Sequence, residues 1–529
     1  MNIKSTAFFI TVTSTLLMAG CGGSDSQNTV CTGTEQAPKR LFLQQLTENS
    51  VIIKWRGDAT IACIGTDISK LGIRVEAVAT EGDHKEAKFT GLKPDTAYYY
   101  SLGGALTAPT SQFFKTAPAS AYPVDDGNVR IWVLGDSGTA GYIENTSDKT
   151  KYSGIAEAVR QGMQNFTNAD KQKIDLLLML GDNAYNNGSD INYQAGLFDI
   201  YKSELKNVAL WPTIGNHEMG LGSFATSATT VIQTGGVSTS PDPKTYKDTA
   251  NASTSLMPYL NIFSLPKAVE AGGIPSGTKQ YYSFNYGKVH IVSLDSQLTA
   301  RDTVQRGIMK DWLVKDLQAA TTTADWIVVI FHHPPYSKGA NHDSDSDGLT
   351  VSSIDKPQID MRNDFVPVFQ NYGVDLVLNG HSHSYERSYY LKNLYAGAGS
   401  VTNGNSTEFI ANAHTFGPLF SGRTAHGEEY TETDGNVVYA VAGNGGKADS
   451  DAGSMRVAGE WLNHMAHVLQ PFWQFVSTQI SGTSKSGQNH KNGLAVPGSM
   501  LIDANKNRLD VRFLNTKGET LDQFAIKKK

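Results

Sequence analysis

The sequence predicts an all-β sandwich at the N-terminus, followed by a larger α/β domain. A change of hydrophobic periodicity carries this prediction: short alternating segments come first, and buried apolar runs separated by helical stretches follow. The chain also has 529 residues, 40% of them hydrophobic, which is more apolar material than a single core needs. We assign residues 37–118 to the sandwich, 119–128 to a Pro-containing linker and 129–529 to the α/β domain.

The charge balance excludes a basic nucleic-acid binder, because 45 Lys and Arg stand against 51 Asp and Glu and give a formal net charge of -6. We therefore expect no nucleic acid as a binding partner. Beyond the N-terminus, no apolar run approaches the roughly 20 residues that a membrane-spanning helix needs. No repeat period is visible that would indicate a solenoid or a propeller.

Residues 1–20 are predicted to be an export signal, since Lys4 precedes the apolar run Ala7–Ala19. The run ends in Leu17-Met18-Ala19-Gly20-Cys21, which resembles the lipobox of bacterial lipoproteins. Cleavage before Cys21 would leave a lipidated cysteine on a flexible tether, residues 21–36. The alternative is an ordinary signal with a chance cysteine. We expect an exported protein that is lipid-anchored to a bacterial membrane, on its periplasmic or cell-surface side.

Two further cysteines, Cys31 and Cys63, remain in the exported chain. Leftover thiols often pair under oxidising conditions, but Cys31 falls in the predicted tether. A disulfide and two unremarkable thiols are therefore both open.

The sandwich is predicted from three alternating segments: Ser50–Trp55, Ile73–Val78 and Tyr98–Leu102. Trp55, as a buried strand residue, and the segment Gly91-Leu92-Lys93-Pro94-Asp95-Thr96-Ala97-Tyr98-Tyr99-Tyr100 resemble a fibronectin type III domain. In that family, a leucine and a tyrosine of this segment pack at a corner. His84 stands among charged residues and is interpreted as a solvated loop histidine. No catalytic set of residues is visible in this domain.

The α/β domain is predicted from apolar runs that each end abruptly in polar residues: Val129–Leu134, Leu176–Leu180, Ile327–Phe331 and Val374–Leu378. Helical stretches separate several of them, around Tyr152–Phe166 and Gly307–Leu317. Functional groups at the carboxyl ends of such strands converge on one rim of a sheet.

Ligand-type residues occupy that predicted rim in five motifs: Gly135-Asp136-Ser137-Gly138, Gly181-Asp182-Asn183-Ala184-Tyr185, Gly215-Asn216-His217-Glu218, Val329-Ile330-Phe331-His332 and Gly380-His381-Ser382-His383. Carboxylates, amide oxygens and imidazoles suit iron, zinc or manganese, and the absence of cysteine argues against a closed structural zinc site. A dinuclear hydrolytic centre fits best. Any one motif alone would more often be a turn or a structural corner.

The five motifs, in this order, resemble those of the purple acid phosphatases within the dinuclear metallophosphoesterases. The resemblance covers nearly the whole mature chain, because plant-type members also carry a fibronectin-like domain in front. It implies a catalytic domain that is an αββα sandwich. Tyr185 resembles the phenolate ligand of that family, and His381-Ser382-His383-Ser384-Tyr385-Glu386-Arg387-Ser388 is similar to its final motif.

The resemblance also implies a role for each site residue. Asp136, Tyr185 and His383 would hold Fe(III); Asn216, His332 and His381 would hold a divalent zinc, iron or manganese ion; and Asp182 would bridge the two. His217 would bind phosphate and assist the leaving group. His342 resembles a second such histidine, with a solvated histidine beside acids as its alternative. His333 is interpreted as a structural neighbour of His332.

The expected function is the release of phosphate from small phosphorylated monoesters by a metal-bound hydroxide. One alternative is a phosphodiesterase or nucleotidase of the same superfamily. The other is a non-enzymatic surface binding protein, in which a metal-binding residue would be missing. Segments 220–277 and 392–429 are long and polar, so they are predicted to shape access to the site. The exact substrate stays open, as does a homodimer formed through the sandwich.

Overall fold

The computed structural model describes residues 30–120, 129–141, 154–185, 188–219, 257–337, 342, 344, 354–392, 426–433, 435–448, 474–476, 489–491 and 496–529. Cys21, most of the linker and most of both expected access segments lie outside these residues. None of the helices in the described part of the chain combines the length and the apolar character needed to cross a bilayer.

The N-terminal region is all-β, as predicted. Its strands are β1 (Arg40–Gln44), β2 (Ser50–Arg56), β3 (Ile61–Gly65), β4 (Ile73–Glu76), β5 (Val78–Thr80), β6 (His84–Thr90), β7 (Ala97–Leu102) and β8 (Phe113–Lys115). They form two sheets, with strand orders β1-β2-β6-β5 and β4-β3-β7-β8, that share one apolar core. The predicted strand over 73–78 is broken at Ala77, because β4 pairs with β3 in one sheet and β5 pairs with β6 in the other.

Tyr98 and His84 are both buried in this sandwich. Tyr98 and Leu92 are both buried, and the Tyr98 hydroxyl oxygen accepts a hydrogen bond from the Lys93 backbone at 3.0 Å. This corner agrees with the fibronectin type III resemblance, which stays a prediction. The interpretation of His84 as a solvated histidine is wrong: the residue begins β6, is 1% exposed and lies edge-on to the Phe42 ring.

Cys31 and Cys63 form a disulfide, with their Cα atoms 6.3 Å apart. Close to the bridge, the Gly33 amide donates to the Gly104 carbonyl at 2.7 Å, and the Gln36 amide donates to the Leu102 carbonyl at 3.1 Å. Residues 30–36 therefore lie against the sandwich, although the sequence predicts a flexible tether there.

The remaining strands are β9 (Val129–Leu134), β10 (Leu176–Met179), β11 (Ala209–Pro212), β12 (Tyr282–Tyr286), β13 (Val289–Ser293), β14 (Trp326–Ile330), β15 (Leu376–Asn379), β16 (Tyr385–Arg387), β17 (His426–Thr431), β18 (Val438–Ala442), β19 (Gln474–Val476), β20 (Asn489–Lys491), β21 (Gly498–Ala504), β22 (Arg508–Asn515) and β23 (Thr520–Lys527). The α-helices are α1 (Ile155–Asp170), α2 (Asp190–Tyr193), α3 (Pro258–Ile262), α4 (Thr303–Ala320) and α5 (Lys356–Asn371). Short 3-10 helices cover Gly138–Gly141, His217–Met219 and Thr299–Arg301, and a π-helical turn covers Gln194–Phe198.

Two sheets lie face to face between helices in this domain. The larger sheet contains β17-β23-β22-β21-β9-β10-β11, and the second has the order β12-β13-β14-β15-β18-β16. Alternation along β14 shows the layering: Val328 and Ile330 belong to the core shared with the larger sheet, whereas Ile327 and Val329 face α4 and α5. With α1 against β21 and β22, the layers are helix, sheet, sheet, helix, which is the expected αββα arrangement.

The larger sheet continues into the sandwich, which the sequence does not predict. Strand β1 pairs in parallel with β11 at Leu43 and Ala209, so β1, β2, β6 and β5 extend the sheet to 11 strands. The Leu43 amide also donates to the Leu205 carbonyl at 3.1 Å. Backbone pairing therefore joins the two regions in addition to the linker.

Candidate metal centre

Six of the seven predicted ligands lie just beyond the carboxyl ends of five strands. Asp136 follows β9, Asp182 follows β10, Asn216 follows β11, His332 follows β14, and His381 and His383 follow β15. Strands β9, β10 and β11 run parallel in the larger sheet, and β14 and β15 run parallel in the second. The ligands therefore come from two facing sheets rather than from the rim of one sheet.

The backbone at three of these positions is in the left-handed region. Asp136 has φ 53°, Asp182 has φ 52° and His381 has φ 70°. Residues other than glycine rarely adopt this conformation, and it persists where the surrounding structure enforces it. Gly181, with φ 91°, must be glycine because a Cβ there would lie 2.6 Å from Nδ1 of His332. At these three strand ends, a sharp turn thus points a buried polar side chain into the site.

Asp136, Asp182, Tyr185 and His383 form the first group of donors. The Tyr185 hydroxyl lies 3.0 Å from Oδ1 of Asp136 and 2.9 Å from Oδ2 of Asp182. Nε2 of His383 lies 3.5 Å from the same Oδ1 of Asp136. These are the residues that the family resemblance assigns to Fe(III) and to the bridge.

Asn216, His332 and His381 form the second group. Oδ1 of Asn216 lies 2.9 Å from Nε2 of His332 and 3.0 Å from Nδ1 of His381. Asp182 links this group to the first, because its Oδ1 lies 3.4 Å from Nε2 of His332 while its Oδ2 contacts Tyr185. The structure thus brings all seven predicted ligands together and places the predicted bridging carboxylate between them.

The electrostatics of these side chains fit cations. Burial disfavours a charge on His332, yet the negative charges of Asp182 and Asp136 raise the pKa of its imidazole to about 9. Burial, together with the same two carboxylates, raises the pKa of Tyr185 well above its usual value, so its hydroxyl stays protonated without a cation. Ligand atoms of Asp136, Asp182 and His332 lie within 4.8 Å of one another. Buried oxygens and imidazoles in such a negative environment suit a metal pair.

The two predicted catalytic histidines border this cluster and are more exposed than the ligands. Their side chains are each 16% exposed. The His217 ring lies 4.2 Å from the Tyr185 ring, and its amide donates to Oδ1 of Asp182 at 2.8 Å. The His342 ring lies 3.9 Å from that of His381. His342 thus borders the predicted ligand His381 and also lies beside an acid, Asp355, so its catalytic role stays a prediction.

Glu218 supports the site, and sequence reasoning assigned it no role although it ends one of the motifs. Its carboxylate accepts hydrogen bonds from the amides of Asp182 at 2.9 Å, Asn183 at 2.7 Å and Gly215 at 2.6 Å. Burial, followed by the charge of Asp182, raises the pKa of Glu218 to about 7. One buried side chain therefore fixes the turns that carry Asp182 and Asn216.

Asp355 is a second supporting residue that no sequence motif indicates. Its Oδ1 lies 2.8 Å from Nδ1 of His342 and 2.9 Å from Nε2 of His381. The carboxylate thus orients both rings and leaves Nδ1 of His381 toward Asn216, as partners of metal-binding histidines commonly do. Burial and the neighbouring His342 lower the pKa of His381, which keeps the imidazole neutral, the form that binds metal.

His333 packs behind the cluster, as predicted for a structural neighbour. Its Nδ1 lies 2.9 Å from Oγ of Ser296, and its ring lies 4.4 Å from that of His381.

The chain is similar to a known protein family and to several characterised proteins. Residues 129–385 match the calcineurin-like phosphoesterase family. Purple acid phosphatase 15 of Arabidopsis thaliana is 26% identical over 312 residues, which are 58% of this chain and 50% of that protein. An acid phosphatase of Aspergillus ficuum is 24% identical over 433 residues, 66% of this chain and 67% of that protein. The chain thus spans about half the length of several plant relatives that it matches.

The fold also matches a solved structure. The purple acid phosphatase PPD1 from yellow lupin (Lupinus luteus) seeds superimposes with a TM-score of 0.56, at 17% identity, over 94% of this chain and 75% of that one. At this identity the match shows the fold alone. Together the comparisons confirm the family resemblance that the five motifs predict.

Proposed function

We propose that this chain, whose residues 129–385 match the calcineurin-like phosphoesterase family and which is homologous to purple acid phosphatases, hydrolyses phosphate monoesters at a dinuclear metal centre. One observation carries the proposal: the two carboxylate oxygens of Asp182 face different donor groups, Oδ1 toward His332 and Oδ2 toward Tyr185. A carboxylate in this position suits a bridge between two ions. All seven expected ligands are present, which disfavours a non-enzymatic binding protein.

The donor sets suit two different ions. Asp136, Tyr185 and His383, with Asp182, would hold Fe(III), because hard anionic oxygens favour a trivalent cation. Asn216, His332 and His381, with the same Asp182, would hold divalent zinc, iron or manganese. Bound there, the ions would supply a hydroxide nucleophile near neutral pH and neutralise charge on the phosphoryl oxygens.

The two bordering histidines would act on the substrate. His217 and His342 retain exposed surface beside a buried cluster, so they can contact phosphoryl oxygens and donate a proton to the departing oxygen. Asp355 engages Nδ1 of His342, so Nε2 is the ring nitrogen available for that contact. The expected substrates are small phosphorylated molecules.

We also propose that the protein works outside the cytoplasm, anchored through lipid on Cys21. The disulfide between Cys31 and Cys63 supports an oxidising compartment, because such bridges form and persist there.

The test combines a visible spectrum with assays on the purified, iron-loaded and oxidised protein. We expect a broad visible band that Tyr185→Phe abolishes and that Tyr201→Phe, at a buried tyrosine packed on Trp132, leaves in place. Phosphate release should be faster from a monoester than from a bis-ester. Absence of the band from iron-loaded wild type would make the Tyr185 assignment wrong. A preference for the bis-ester would replace the monoesterase with a phosphodiesterase.

A further inference from the structure

A short segment, residues 190–198, lies between the N-terminal sandwich and the metal centre, and we call it the bridging segment. It consists of α2 and the π-helical turn Gln194–Phe198. We propose that Arg40 and Arg56 of the sandwich are positioning residues for the metal centre and act through this segment. The inference deepens the proposed function and rests on it for the identity of the centre.

On the sandwich side, two arginines hold the bridging segment. Arg56 forms a bidentate pair with Asp190, with both N–O distances at 2.7 Å. Arg40 donates to Oδ1 of Asp190 at 3.1 Å and to Oε1 of Gln194 at 3.0 Å. Its side chain is fully buried, with the guanidinium 4.2 Å above the Phe198 ring. Planar bidentate contacts of this kind fix orientation as well as distance.

On the other side, the bridging segment touches the backbone of the motif Gly135–Gly138, which carries the predicted ligand Asp136. Gly196 packs so closely on Gly138 that an added Cβ would lie 2.5 Å from the Gly138 carbonyl oxygen. That carbonyl accepts a hydrogen bond from the Tyr185 amide at 3.0 Å, and the Gly138 amide donates to the Asp182 carbonyl at 3.2 Å. Movement of the bridging segment would therefore disturb the turns that carry Asp182 and Tyr185.

A second contact reaches the same turns through Glu218. The Tyr193 hydroxyl donates to Oε1 of Glu218 at 3.3 Å. The same carboxylate accepts hydrogen bonds from the amides of Asp182, Asn183 and Gly215. The bridging segment thus meets the metal centre at two independent points.

The dependence on the sandwich follows from the length of the elements. Helix α2 has four residues and the π-helical turn has five, and helices this short are unstable without external packing. π-helical turns are also rare and are frequently found at functional sites. The contacts of Arg40 and Arg56 are therefore expected to hold the segment against Gly138 and Glu218.

The test compares Arg56→Ala with Arg74→Ala, a control in the same sandwich whose arginine pairs with Glu76, two residues along the chain, at 3.1 Å. Hydrogen exchange of the metal-free protein should show amides in residues 182–185 exchanging roughly two- to thirtyfold faster in Arg56→Ala. The loaded protein should release metal to a chelator faster by a similar factor. Arg74→Ala should match the wild type in both measurements.

A second variant keeps the proposal testable if Arg56→Ala folds poorly. Asp190→Asn removes a charge that is 45% exposed, retains one oxygen acceptor and should give the same two effects. Wild-type exchange and wild-type metal release in either folded variant would overturn the coupling. If the wild type binds no metal pair while exchange at 182–185 still responds, the proposed function fails and the positioning role stands.

Discussion

His84 shows at the scale of one residue how burial decides the charge state of a side chain. Burial and the positive charges of Lys54, Arg56 and Arg40 lower the pKa of its imidazole to about 3. An unfolded histidine titrates near pH 6.5. Between these two values the unfolded chain binds one more proton than the folded chain, so this residue removes stability as the pH falls.

His84→Gln should therefore weaken the acid sensitivity of folding. Glutamine can accept from Arg40 and donate to the Glu81 carbonyl, which are hydrogen-bond partners of the His84 ring, without titrating. From pH 6 to 4.5, the free energy of unfolding of the wild type should fall more steeply than that of the variant, by up to about 1.4 kcal/mol per pH unit. Urea unfolding at several pH values measures both slopes. Equal slopes would show that His84 does not titrate on unfolding.

Among the residues of the site, some could be predicted from the sequence and others could not. The seven ligands were predictable because each is a ligand-type residue directly after a strand or within a known motif. Asp355 was not, because its role depends on contacts with His342 and His381, 13 and 26 residues away, that no local pattern indicates. Glu218 lies inside a predicted motif, but only the structure shows the three amides that it holds.

At the scale of elements, two glycines offer a matched comparison of packing. Gly196→Ala should destabilise the protein by roughly 1–3 kcal/mol, because the new methyl group would overlap the Gly138 carbonyl. Gly307→Ala in α4 should instead stabilise it by about 0.5–1 kcal/mol, since a Cβ there has no atom within 4 Å and alanine favours a helix. Thermal and urea unfolding measure both. Equal effects of the two variants would contradict the close packing of the bridging segment.

Local pattern predicts many of these elements well. The expected strand over Val129–Leu134 matches β9, and the expected strand over Tyr98–Leu102 differs from β7 by one residue. Such strands are predictable because their apolar residues form a pattern that is visible in the local sequence. The break at Ala77 and the π-helical turn were not predictable, because both depend on which distant strands and loops accept their backbone.

At the scale of the whole molecule, a buried ion pair joins the two facing sheets. Arg387 of β16 donates to Asp522 of β23 at 2.8 and 3.1 Å, and neither side chain is exposed. The Tyr385 hydroxyl donates to the same carboxylate at 2.6 Å. Removing one charge would leave the other buried without its main partner.

Asp522→Ala should consequently cost about 3–5 kcal/mol of unfolding free energy. The double variant Arg387→Leu with Asp522→Leu should cost less, because it removes both buried charges and restores apolar volume. Chemical unfolding of the single and double variants measures the difference. A double variant as unstable as Asp522→Ala would show that the stability depends on the volume and shape of these side chains rather than on their charges.

The sequence predicts two regions joined by a linker, and the bounds of these regions stay a prediction. The continuous sheet was not predictable, because β1 and β11 lie more than 150 residues apart in the chain. Nothing in the local sequence of either strand indicates that the two pair. Long-range pairing is set by the complete fold.

The order of strands in the larger sheet also bears on how the chain is made. Strand β9 has β10 on one side and β21 on the other, and the paired side chains of Arg130 and Asp503 are 373 residues apart. During synthesis, β9 therefore leaves the ribosome long before its second neighbour exists. Its free edge stays open to other strands until the last segment arrives. A chain that stops short of residue 498 would keep this aggregation-prone edge even though every predicted metal ligand had already been made.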